Sequence, residues 1–137
     1  MLRRRVGLLL VCCLAGCLWR GYANIMGVHV DVLTEMAAKL CAMAEAGRGV
    51  SAEGMGEYIY PAQRARQFLQ QFSGQSQRKS YHDFAALVDR YEAMVHDADT
   101  ARAQGHSWHD ELPRLQAARD ALRQLGTQIR AELTAGD

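Results

Sequence analysis

Residues 112–133, LPRLQAARDALRQLGTQIRAEL, decide the fold. Their apolar residues recur every three or four positions, which places them on one face of an α-helix. Charged residues such as Arg119, Asp120 and Arg123 fall outside that stripe. The stripe consists of Leu112, Leu115, Ala118, Leu122, Leu125, Ile129 and Leu133. A helix with one apolar face needs partners to cover it, so the sequence must supply more helices.

Three earlier segments have the same period. A first helix is predicted from Asn24, as N-cap, to about Ala46, and a second begins near Ser51 and is kinked or restarted at Pro61. The third begins at Ser80, which with Asp83 resembles a capping box. The fourth begins between Ser107 and Pro113. Short connections between helices of similar length predict an all-α fold, an up-down-up-down four-helix bundle.

The N-terminal stretch 1–17, MLRRRVGLLLVCCLAGC, has a different character. Three arginines precede an apolar run, as in a secretory signal peptide. The uninterrupted apolar stretch from Val6 to Trp19 has 14 residues, fewer than the roughly 20 that a membrane-spanning helix needs. We therefore expect this segment to be cleaved or to act as a tether, and not to span a membrane.

The end of the apolar run, Leu14-Ala15-Gly16-Cys17, resembles the lipobox of bacterial lipoproteins at all four positions. The resemblance implies a diacylglycerol on the Cys17 sulfur, then cleavage before Cys17 and acylation of its new amino group. It divides the chain into a signal peptide (1–16), a lipidated tether (17–23) and a bundle domain (24–137). Leu18 stands where lipoproteins retained in the inner membrane carry Asp, so the resemblance favours the periplasmic face of the outer membrane. A membrane partner through the anchor is thus expected, and no cofactor besides the covalent lipid.

Cleavage changes the charge and cysteine balance. The full chain of 137 residues carries a net charge of +1, whereas removal of 1–16 leaves 13 basic and 15 acidic residues, a net charge of −2. This balance does not favour a nucleic-acid partner. Cys41 becomes the one thiol besides Cys17, and we interpret it as a buried apolar residue. Trp19 and Tyr22 in the tether lie either at the membrane interface or against the end of the bundle.

Histidines offer one candidate site. In an up-down bundle the end of the third helix lies near the start of the fourth, which would bring His96 close to His106 and His109. The step between the last two is compatible with one metal ion. A periplasmic metal- or haem-binding bundle is therefore the alternative function. Haem attachment through Cys-x-x-Cys-His is excluded because that motif is absent, and His29 is interpreted as a partly buried structural histidine.

Aromatic residues around Pro61 form a second candidate site. Tyr58, Tyr60, Phe68 and Phe72 supply more aromatic surface than one helix face hides, and they form either a partner groove or the filling of one bundle end. The sequence has no phosphate loop and no nucleophile elbow. The leading hypothesis is therefore a non-enzymatic module, anchored by lipid, that binds another protein of the cell envelope or supports an assembly there.

Overall fold

The computed structural model describes the backbone of residues 2–136 and the side chains of residues 16–136. It contains four α-helices and a short 3₁₀ turn at Ser73–Gln75, with no β-strand among the described residues. The helices are α1 (Leu2–Glu45), α2 (Met55–Gln71), α3 (Lys79–Ala103) and α4 (Trp108–Ala135). The all-helical prediction is thus confirmed, and the four helices are consistent with a helical bundle. None of the described helices contains an apolar stretch long enough to cross a membrane.

The core lies where α1, α3 and α4 meet. α1 and α3 each pack extensively against α4, while α2 lies mainly against α3. Leu33, Leu87 and Leu122, one from each of these three helices, have no solvent exposure. Burial of each such side chain contributes about 1.5–3 kcal/mol relative to leaving it in water. The apolar stripes read from the sequence therefore supply the packing that holds the helices together.

Gly126 allows α4 to approach α1 closely. A Cβ atom at this position would lie 3.1 Å from Cγ1 of Val30 and 3.3 Å from Cγ2 of Thr34. Glycine inside a helix costs about 0.5–1 kcal/mol relative to alanine, so the close packing has to offset that cost. Leu122 and Ile129 flank this contact and are fully buried, whereas Leu125 is only partly buried.

The fourth helix begins as predicted. Ser107 is the N-cap of α4, and its hydroxyl accepts a hydrogen bond of 3.2 Å from the backbone N–H of His109. Pro113 lies inside α4 near its start. At the other end, Gly136 has a φ of 85°, the left-handed conformation that ends many helices.

The third helix begins within one residue of its predicted start, but the predicted capping box is wrong. α3 begins at Lys79, its N-cap Arg78 makes no side-chain capping bond, and Ser80 is fully buried. The Oγ of Ser80 lies 2.9 Å from Oη of Tyr22, 58 positions earlier in the chain. Asp83 binds Lys79 instead of completing a capping box. The Ser80 hydroxyl, which the sequence pattern predicted to cap α3, is therefore engaged in a buried hydrogen bond between α1 and α3.

The first two helices also differ from their predicted bounds. α1 has no break at Asn24, because the segment 17–23 that was expected to be a tether is helical. α2 begins at Met55 rather than at Ser51, whose hydroxyl accepts a hydrogen bond of 3.0 Å from the N–H of Gly54. It then continues through Pro61 to Gln71 without a restart. Packing against the core therefore sustains helix at positions where local signals favour an end.

Candidate functional site

Cys17, the predicted lipidation residue, is exposed on α1. The side chains of Leu14 and Ala15, the first half of the lipobox, lie outside the described residues. Tyr22, five positions after Cys17, is the first fully buried residue of α1 among those whose side chains are described, 16 onwards. With a rise of about 1.5 Å per residue, about 7–8 Å of helix separate the two positions. The candidate anchor therefore joins the packed part of the molecule almost directly.

An aromatic cluster fixes this part of α1 to the other helices. The Tyr22 ring stacks on Phe68 with centroids 5.8 Å apart and meets Phe72 edge-on at 5.7 Å. The Arg78 guanidinium lies 4.2 Å from the centroid of the Trp19 ring. Aromatic pairs of this geometry add about 0.5–1.5 kcal/mol each beyond their buried area. Of the two alternatives for Trp19 and Tyr22, the structure thus has them packed against the end of the bundle.

An ion cluster ties α3 to α4 near the same end. Lys79 binds both Asp83, at 2.6 Å, and Glu132, while Gln128 donates a hydrogen bond of 2.9 Å to Asp83. Burial alone would raise the pKa of the Asp83 carboxyl, but the hydrogen bonds that Lys79 and Gln128 donate to it favour the carboxylate, and the pKa is lowered. These contacts secure the end of α4 beside the start of α3.

The four aromatic residues predicted as a partner surface have different positions. Tyr58 and Phe68 are buried in the core, and Phe72 packs partly against it. Tyr60 is 61% exposed, and its neighbour Ile59 is 41% exposed. The exposed part of this aromatic group is therefore Tyr60 with Ile59, while the other three help to fill the interior.

A groove of about 210 Å³ lies beside Ile59, between α2 and α3. Its lining consists of Tyr58, Ile59, Ala62, Gln63, Glu92, Val95, His96 and Asp99. Its two carboxylates already bind arginines of the same chain, Glu92 to Arg66 at 2.8 Å and Asp99 to Arg102 at 2.7 Å. Burial raises the pKa of the Tyr58 phenol above its ordinary 10.0. The groove thus has a mainly apolar lining, and its two carboxylates are paired with arginines of the same chain.

The three histidines of the candidate metal site are not brought together. His96 lines the groove between α2 and α3, whereas His106 lies in a different pocket with its Nδ1 3.4 Å from Oε1 of Glu111. His109 is exposed in the first turn of α4. Across the described part of the chain, no three His, Cys, Asp or Glu side chains are grouped so as to hold a metal ion.

His29 lies within the packed part of the molecule. Its ring centroid is 5.4 Å from that of Phe68 and 6.2 Å from that of Phe84. Burial lowers the pKa of His29 below its ordinary 6.5, and the positive charge of Arg64 lowers it further. The folded chain therefore favours the neutral imidazole.

This shift predicts a pH dependence of stability. When the pH falls from about 7.5 to about 5.5, the unfolded chain takes up a proton at His29 more readily than the folded chain, so the free energy of unfolding decreases. We expect this loss to be smaller in His29→Gln. Thermal unfolding of both proteins across this range, where carboxyl groups remain mostly ionised, gives the comparison. Parallel curves of Tm against pH would contradict the assignment.

The sequence analysis missed an exposed apolar stripe on α1. It consists of Leu18, Ile25, Val28 and Val32, and is called the α1 stripe below. These four side chains are between 37% and 62% exposed. The signal was present in the sequence as a second three- and four-residue period, offset from the core positions Met26, Val30 and Leu33.

Comparison with known proteins adds no relative. No family model matches the chain, and no match was found among curated proteins or solved structures.

Proposed function

We propose that this protein is a lipoprotein of the bacterial cell envelope, anchored at Cys17, which acts as a non-enzymatic helical module that binds another envelope protein or supports an assembly. One observation carries the binding role. Within the described residues, the exposed large apolar side chains are confined to α1 and α2: the α1 stripe, Ile59 and Tyr60. Concentration of apolar surface on part of a molecule marks an interaction site more often than the same residues scattered singly.

The anchor is supported by the resemblance of residues 14–17 to a lipobox and by the exposure of Cys17. In this proposal residues 1–16 are removed as a signal peptide, and the new N-terminus carries the acyl chains. More than one chain is needed for stable attachment, which a multiply acylated cysteine provides. The residue after the cysteine, Leu18, supports a location on the periplasmic face of the outer membrane.

We further propose the up-down-up-down topology for the mature bundle. At the Cys17 end, Tyr22 meets Phe72 after α2 and Ser80 in the first turn of α3. Arg78 reaches the carbonyl of Gly136 after α4 at 3.4 Å. At the far end, Gly49 after α1 approaches Trp108 at the start of α4. These contacts are the ones expected when successive helices run in alternating directions. The anchor would then attach the membrane to the end that carries the α2–α3 connection.

Replacement of one exposed aromatic residue tests the binding role. Tyr60→Ala is expected to weaken partner capture about 30-fold, because exposed aromatic residues that become buried at an interface often contribute about 2 kcal/mol. The measurement is recovery of crosslinked envelope proteins on an affinity-tagged chain, compared quantitatively by mass spectrometry. Gln70→Ala, at another exposed position of α2, serves as the matched control. Equal recovery of every protein by the wild type, Tyr60→Ala and Gln70→Ala would overturn the role of this surface.

A further inference from the structure

We draw no further inference here: the strongest candidate, the exposed apolar α1 stripe on the first helix, carries nothing because no contact in the described part of the chain shows what covers it.

Discussion

Cys17→Ala is expected to yield a protein that carries no lipid and keeps residues 1–16. In the lipoproteins that residues 14–17 resemble, lipid is attached to the cysteine sulfur before the signal peptide is removed. Alanine has no thiol to accept the lipid, so both steps should fail and the change is all or none. Mass spectrometry of the purified full chain measures it, since the wild type should lack its first 16 residues and gain the mass of acyl chains.

Cys41→Ala is the matched control for this experiment. Cys41 has no solvent exposure, and its burial raises the pKa of its thiol, so it is both shielded and protonated. Its replacement should leave lipid attachment and cleavage unchanged. Cleavage of Cys17→Ala between residues 16 and 17 at the wild-type rate would contradict the lipobox assignment and indicate an ordinary signal peptide.

The apolar period predicted the helices because each of them has one face in a common core. Leu115, Leu122 and Ile129 of the predicted α4 stripe are buried as expected. The start of α1 was not predictable in the same way. Asn24 is a local signal for a helix start, but the helix continues through it because Tyr22, two residues earlier, is buried and stabilises the helical segment that carries it. The bond from Tyr22 to Ser80 joins residues 58 positions apart, so no local pattern could reveal it.

The aromatic residues of α2 could have been sorted from the sequence. Tyr58, Phe68 and Phe72 share the helical phase of Ala62 and Ala65, which are buried, whereas Tyr60 falls outside that phase. The positions of the histidines could not be predicted from helical phase in the same way. His106 lies in the α3–α4 connection and His109 in the first turn of α4, so their positions depend on how that connection is folded and not on helical phase.

Tyr22→Ala is expected to destabilise the bundle by about 3–5 kcal/mol, the usual cost of truncating a buried aromatic residue. That is a large fraction of the roughly 5–15 kcal/mol that stabilises a typical domain. The loss includes ring contacts with Phe68 and Phe72 and the hydrogen bond with Ser80. Thermal unfolding followed by circular dichroism should show Tm lowered by about 10–20 °C.

Two further variants identify the source of this loss of stability. One separates the contribution of the Tyr22 ring from that of its hydroxyl, and the other tests whether removal of an exposed aromatic ring has the same effect. Tyr22→Phe keeps the ring and removes one hydrogen bond, so it should cost only about 0.5–1.5 kcal/mol. Tyr60→Ala removes an exposed ring and should change stability by less than about 0.5 kcal/mol. Equal Tm values for Tyr22→Ala and Tyr60→Ala would mean that residues 17–23 form a loose tether. A large difference between them requires that the bundle begins beside Cys17, because only a packed Tyr22 can contribute its buried ring to the stability of the fold.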